Sequence, residues 1–209
     1  MRITPADIEF ERNKSKYEDR LEGKAERCFS DMYLETIAVQ RKIVEHLFGF
    51  DTLLFHGSAV AVDGVGYLFT AQSGTGKSTH ARLWREMLGD RAVMINDDKP
   101  FLHMNNGQVT VYGSPWNGKH GLGCNSYAPL RAICILQRGK ENVIESIDAT
   151  QALTMLIQQS QRPGNKNNYP KYMELLNRLA DDVAFYRLTC NMDMSAAVVS
   201  YEGMSNPVG

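Results

Sequence analysis

The stretch Ala71-Gln72-Ser73-Gly74-Thr75-Gly76-Lys77-Ser78-Thr79 constrains this chain more than any other. It is one glycine short of the phosphate-binding loop pattern G-x-x-x-x-G-K-S/T, with Ala71 in place of the first glycine. Gly74 and Gly76 let the backbone take conformations that a side chain obstructs, so several N–H groups can converge on one phosphate. Lys77 supplies a cation for the outer phosphate oxygens. The Ser78 hydroxyl is placed to hold a magnesium ion. A helix beginning near Lys77 adds its positive N-terminal end to the same anion. Ser73, Gly74, Thr75, Gly76, Lys77, Ser78 and Thr79 are therefore the candidate nucleotide ligands, with Thr79 next to an inner phosphate. The missing first glycine is tolerable if Ala71 ends a strand, which requires a negative φ there.

The flanks of this stretch set its sheet. Leu53 to Val62 is apolar and β-rich, interrupted at His56-Gly57. Asp63-Gly64 is a strong hairpin signal, and Gly66 to Thr70 then runs into the loop. The strand before the loop strand is thus expected to be antiparallel to it, unlike the parallel βαβ arrangement of the commoner phosphate-loop proteins. Lys77 to Leu88 reads as the following helix, and Ala92 to Ile95 as a short buried strand that ends at Asn96-Asp97-Asp98. Phe101 to Tyr112 reads as a second hairpin, turning at Asn105-Asn106-Gly107. The segment Gly113 to Gly123 has the composition of an active-site loop. Strands are expected at Arg131 to Gln137, Asn142 to Ile147 and Val183 to Leu188. Helices are expected at Ala149 to Ser160, Pro170 to Asp181 and Asp193 to Tyr201.

Upstream, Asp31 to Phe50 has helical periodicity, with Tyr33, Ile37, Val44, Leu47 and Phe48 on one face and Ser30 or Asp31 as cap. Ile3, Ile8 and Phe10 suggest a short edge strand. The charge-dense run from Glu11 to Arg27 is compatible with a loop, a frayed helix or a partner-binding arm. The economical division is an N-terminal extension (1–50, edge strand and helix) packed on one ATP-binding domain (51–209).

Phosphoryl chemistry needs a metal, and the metal needs a carboxylate. Asp97, at the end of an apolar strand downstream of the loop, stands where a metal-holding acid belongs. Asp98 makes the acid a doublet. On an extended chain the two side chains diverge, so one can join Ser78 on the magnesium shell while the other takes a proton from an attacking hydroxyl. His56, in the strand paired with the loop strand, can donate to a phosphate oxygen or assist proton transfer, or can be structural. Lys119 and Arg131 flank the second glycine-rich segment, and either can neutralise charge on a transferred phosphoryl group. His80 is expected on the helix surface. The four cysteines form no C-x-x-C pair, so they suggest neither zinc nor redox chemistry.

Taken in order, His56-Gly57-Ser58-Ala59-Val60, the hairpin, Ser73 to Thr79 and Asn96-Asp97-Asp98 resemble the catalytic core of HPr serine kinase/phosphorylase, a family related in fold to phosphoenolpyruvate carboxykinase. The resemblance runs from about Leu53 to Leu136. It implies an α/β fold: a mixed β-sheet P-loop kinase core of the HPr kinase / PEP carboxykinase type with flanking helices, using ATP (or another nucleoside triphosphate) and Mg2+. It also implies that Asp97 and Asp98 divide metal binding and proton abstraction from an acceptor serine. The chain departs from that family in its short N-terminal region, in Ala71, and around Trp116-Asn117-Gly118-Lys119. It looks closer to small stand-alone HPr-kinase-like proteins, some of which phosphorylate peptides or small hydroxyl compounds.

The expected activity is an ATP- and Mg-dependent kinase acting on a hydroxyl-bearing peptide, protein or small-molecule acceptor. The alternatives are a nucleotide-binding sensor without transfer chemistry and carboxykinase-like chemistry on a keto acid. The formal net charge of −1 gives no electrostatic reason to expect nucleic acid or an acidic membrane as partner. No apolar run has the length of a membrane span and the N-terminus is not a signal peptide, so a cytoplasmic protein is expected, with homo-oligomerisation left open.

Overall fold

A computed structural model describes residues 2–21, 23–118 and 121–205. Its architecture is α/β, a mixed, curled sheet with helices on both faces. The order along the sheet is β1 (Thr52–Leu54), β5 (Phe101–Asn105), β6 (Gln108–Tyr112), β7 (Tyr127–Arg138), β3 (Val65–Thr70), β2 (Ser58–Val62), β4 (Ala92–Asn96). A branch leaves β7 through β9 (Ala184–Cys190) to β8 (Val143–Ile147). Pairing is parallel for β3 with β7 and for β7 with β9, and antiparallel elsewhere.

Strand residues alternate between two apolar layers, as a pleat buried on both faces requires. Leu68, Ile133 and Ile135 enter one layer, while Tyr67, Phe69, Ala132 and Cys134 enter the other. The first layer is closed by α2 (Asp31–Leu47), α4 (Ala149–Gln159) and α5 (Tyr169–Asp182), which contribute Val44, Leu156, Leu175 and Leu179. The second is closed by α3 (Lys77–Leu88) and α6 (Met194–Ser205) around Trp84, whose ring meets Phe69 and Tyr201 edge-on.

Both expected hairpins are present. Asp63 and Gly64 have φ of 49° and 81°, and Asn106 and Gly107 have 46° and 80°, the paired positive φ that matches the twist of two flanking strands. β2 is antiparallel to the loop strand β3, as expected. α3 keeps its expected bounds, and Ala71 is absent from the residues of positive φ.

The N-terminal region differs from expectation. Ile3, Ile8 and Phe10 form no strand; Pro5–Leu21 is a helix, α1. At its start the Thr4 N–H and hydroxyl donate to the Asp7 carboxylate, Pro5 stands in the first turn, where its missing N–H costs nothing, and Glu9–Arg12 and Lys14–Glu18 pairs run along its surface. Its apolar residues stay outside: Phe10, Tyr17 and Leu21 are exposed, while Glu11 and Asp19 are buried. The helix therefore docks through charge. Arg41 of α2 binds Glu11 at 2.5 Å and Asp7 at 3.2 Å, and Lys42 binds Asp7 at 2.6 Å. On α2 itself the buried face is Leu34, Ala38 and Val44, and Tyr33 points outward onto Phe29. Ser30 caps it as expected, accepting from the Tyr33 N–H.

Candidate functional site

Strand direction assembles the site. β2 is antiparallel to both β3 and β4, so the start of β2 lies beside the ends of its two neighbours. His56-Gly57 precedes β2, the glycine-rich loop follows β3, and Asp97-Asp98 follows β4. Backbone bonds tie the three together. The Gly57 N–H donates to the Asp98 carbonyl at 2.9 Å, and the Thr70 hydroxyl donates to the His56 carbonyl at 3.0 Å. The result is a cavity of about 430 Å³ lined by His56, Ser73, Gly74, Gly76, Lys77, Ser78, Thr79, Asp97, Asp98 and Gly118.

In the loop, Gly74 and Gly76 take φ of 78° and 124°. Lys77 is buried, and its ammonium donates to the Ala71 carbonyl at 3.1 Å, folded back across the turn. Burial lowers the lysine's pKa, against the pull of Asp98. Gly76 is the N-terminal cap of α3 and offers no side chain there, so the first helical N–H groups remain without a side-chain acceptor. Thr75 also lies in this loop, on its other side.

The two aspartates have different surroundings. Asp97 is buried; its Oδ1 accepts the Gly118 N–H at 2.7 Å, and its Oδ2 has no hydrogen-bond partner among the described residues. A buried carboxylate oxygen left unpaired is costly unless something binds it. Asp98 is half-buried, with Oδ1 at 3.4 Å from His56 Nε2 and Oδ2 against the Lys99 ammonium. Burial works to raise its pKa, but His56 and Lys99 outweigh burial and hold it at about 2. Asn96 fixes the doublet: its side-chain oxygen accepts the N–H groups of Asp98 and Lys99, and its amide donates to Ser114 and Asn117 in the second glycine-rich segment.

Those facts bear on a metal. Among the described residues no group of three or more His, Cys, Asp or Glu side chains could hold an ion. A divalent cation here would rest on few protein oxygens and on the oxygens of a phosphate ligand, the habit of magnesium. Asp97, whose Oδ2 is buried and has no partner among the described residues, and Ser78 line the same cavity, and an acid and a hydroxyl there fit that demand.

The family model described as "ScmC: SynChlorMet cassette protein ScmC" matches residues 29–201. The chain belongs to the ScmC family. No curated protein matches it. Among solved structures it is similar to the HPr(Ser) kinase/phosphatase from Coxiella burnetii, with a TM-score of 0.41 and 10% identity over 73% of this chain and 99% of that one. That is a weak likeness at the level of fold, and no site assignment rests on it.

Of the other candidates in this ScmC-family chain, His56 lies in the cavity and Arg131 does not. Arg131 is exposed near the start of β7, beside Gly66 and Tyr67, whereas the loop follows Thr70, which pairs with Ile135 farther along. Lys119 lies outside the described residues. Arg138, at the other end of β7, does reach the loop and donates to the Gly74 carbonyl. His80 is a correction of another kind. Expected on the surface, it is buried with Nε2 at 2.9 Å from the Ser200 hydroxyl, which also accepts from Trp84. Burial lowers its pKa to about 4.

A second cavity of about 430 Å³ lies on the far side of the loop, lined by Thr75, His80, Leu83, Leu136, Arg138, Asn191 and Met192 among others. The loop thus separates an acidic chamber from a largely apolar one.

Proposed function

We propose that this chain is a phosphotransferase that moves the terminal phosphoryl group of a nucleoside triphosphate to an acceptor hydroxyl. The observation that carries the reading is one cavity holding Lys77, Ser78 and two aspartates of different character, one with a buried, unpaired oxygen. Binding alone would use one acid; two held apart by Asn96 suit transfer. The phosphates lie along Ser73 to Thr79, where the positive-φ glycines and the start of α3 present N–H groups, and Lys77 swings from the Ala71 carbonyl to the phosphate oxygens. The nucleoside occupies the apolar chamber beside Leu83, Leu136 and Met192. Ser78 and Asp97 would hold magnesium, which when bound neutralises charge on the phosphate oxygens.

Asp98 then receives the acceptor's proton. An oxygen–phosphorus bond forms to the acceptor as the bond to the nucleoside diphosphate breaks, and the hydroxyl proton passes to the Asp98 carboxylate. A carboxyl held at about 2 is a weak base, so the proton moves late, once bond formation has made the hydroxyl acidic. His56, 3.4 Å from Asp98 Oδ1, steadies the carboxylate in the orientation that faces the acceptor.

Incubation with γ-labelled ATP, magnesium and a panel of serine peptides and small hydroxyl compounds tests the reading. Labelled product is expected. Lys77→Ala should abolish the nucleotide-dependent rise in Tm, and retention of that rise would sink the phosphate-loop assignment. Asp98→Asn should keep nucleotide binding and lose transfer by about 10²-fold or more; intact turnover would remove Asp98 as the base. Nucleotide binding without transfer to any acceptor would favour a sensor.

A further inference from the structure

One arginine beside the loop has no acid to answer it. Arg12, Arg41, Arg91, Arg178 and Arg187 each hold a carboxylate. Arg138 is exposed, and no carboxylate among the described residues pairs with it. Its hydrogen bond goes to a neutral acceptor, the Gly74 carbonyl. A guanidinium carries five N–H donors in a planar fork, so most of its donors and all of its charge are left over.

Strand geometry brings those donors to the loop. β3 pairs with β7 as far as Thr70 with Ile135, where the glycine-rich stretch begins, and β7 then runs on to Arg138. That overrun is about 10 Å of extended chain. Side chains alternate along a strand, so Arg138 shares the face of Leu136, which packs in the layer closed by α3. The end of β7 is held in place. Arg138 pairs with Cys190 of β9, the Gly139 N–H donates to the Cys190 carbonyl at 2.9 Å, and a Cβ on Gly139 would lie 2.2 Å from Thr189 Cγ2. Arg138 lines the apolar cavity together with Gly74, Thr75, Gly76 and Thr79 of the loop, whereas the lining of the acidic cavity includes Lys77, Asp97 and Asp98 but not Arg138. This cation therefore stands against the loop on the side away from the acids.

We infer that Arg138 is a nucleotide-binding residue, a second phosphate cation that holds the inner phosphates while Lys77 meets the outer ones. The inference rests on the nucleotide placement of the phosphotransferase reading, and not on transfer. With the phosphates along Ser73 to Thr79 and the nucleoside beside Leu83, Leu136 and Met192, the phosphates nearest the nucleoside lie on the Arg138 side of the loop. There the planar fork can give two parallel N–H groups to one phosphate. The Gly74 carbonyl already orients the guanidinium, so less side-chain freedom is lost when the ligand arrives. The phosphates it meets are not the one transferred. Arg138 thus strengthens ground state and transition state alike, and its removal acts on affinity and not on the chemical step.

The test compares the full chain with its Arg138→Gln and Arg138→Lys variants, measuring ATP, ADP and adenosine by competition against a fluorescent ATP analogue with magnesium. Arg138→Gln keeps an amide N–H for the Gly74 carbonyl and loses the charge. It should weaken ATP and ADP by the same factor, about tenfold or more, and leave adenosine as it is. Arg138→Lys keeps the charge without the fork and should fall between the other two. The ligand-free Tm should be alike in all three, because Arg138 is exposed. A loss confined to ATP would move Arg138 to the terminal phosphate and overturn the assignment. So would an equal loss for adenosine, which would make Arg138 a support of the loop, or a lysine variant as weak as the glutamine one, which would mean that charge plays no part. ATP and ADP bound equally by the full chain and Arg138→Gln would remove Arg138 from the site. If the expected losses appear and no acceptor is phosphorylated, the inference stands and the transfer reading fails. A full chain that binds neither nucleotide overturns both.

Discussion

Two glycine-rich segments meet at the candidate site, and their glycines serve opposite ends. In Ala71–Thr79, Gly74 and Gly76 have open space around them and positive φ; what they supply is conformation. In the segment from Gly113 to Gly118, the two terminal glycines have ordinary φ and no room. A Cβ on Gly113 would lie 2.0 Å from the Cys124 carbonyl oxygen, and one on Gly118 would lie 3.0 Å from Asp97 Oδ2. Composition alone makes the segments look alike. One is a turn that must bend toward a ligand; the other is packing that must let backbone and carboxylate come close. The first stands over a buried frame of His80, Ser200 and Trp84, and the second hangs from Asn96.

The largest expected effect separates the two roles through stability. Gly113→Ala pushes a methyl into backbone that cannot rotate away, where β4, β6 and the return to β7 converge. It should cost about 3 kcal/mol, a fall in Tm of about 6–12 °C for a chain of this size. Gly74→Ala meets no atom within 4 Å and pays only for its positive φ, about 1 kcal/mol. Thermal denaturation of both variants checks the pair. Equal losses would mean that the second segment yields as the first does, and that the contrast is false.

The frame under the first segment carries the next effect, through pH. The folded pKa of His80 is lowered to about 4 from 6.5 because burial disfavours the imidazolium. The unfolded chain binds that proton first as pH falls, so stability is lost from pH 6.5 downward and the loss levels off below the folded value. It should reach about 2 kcal/mol by pH 5 and about 3 kcal/mol near pH 4. Asp98, lowered to about 2, works in a separate window: its contribution is present above the ordinary carboxylate range and is lost as pH falls toward 2. Urea midpoints between pH 7 and 5 check the histidine, and His80→Gln should flatten that part of the profile. A wild-type midpoint constant over this range would contradict the buried, neutral imidazole.

What the sequence made legible follows local chemistry. Asp63-Gly64 and Asn106-Gly107 announce their turns because positive φ at two successive positions has few residue solutions. α3 was readable from Lys77 to Leu88 because loop glycines stop just before it and Gly89 stands just after it. For α1 the sequence leaves a loop, a helix and a binding arm open, since its buried residues are Glu11 and Asp19 and their partners are Arg41, on α2, and Arg27, in the segment after the helix. The sequence around His80 puts it on the surface for a similar reason: its buried partner is Ser200, 120 residues away. Arg131 and Arg138 are indistinguishable as strand cations until β7 is known to run parallel to β3, which puts the end of β7, not its beginning, beside the loop. Local signals carry the turns and helix ends; charge partners and strand order carry the site.

The smallest expected effect on stability is the most telling about the second segment. Gly118 donates its N–H to Asp97 Oδ1, and its missing side chain keeps a methyl from crowding Oδ2. A methyl there touches one carboxylate oxygen at 3.0 Å, so a shift of a few tenths of an ångström relieves it, and Tm should change by less than about 2 °C. The oxygen so crowded is the one left without a partner. If that oxygen holds magnesium, Gly118→Ala should lower the rise in Tm given by ATP with magnesium, leave the rise given by ATP with EDTA, and slow transfer by about tenfold or more. Asp97→Asn should act in the same direction and further. A Gly118→Ala protein with an unaltered magnesium-dependent rise would mean that the space above Oδ2 serves packing alone. The two glycine-rich segments would then differ in physics but not in function, with the ligand's whole recognition left to the loop.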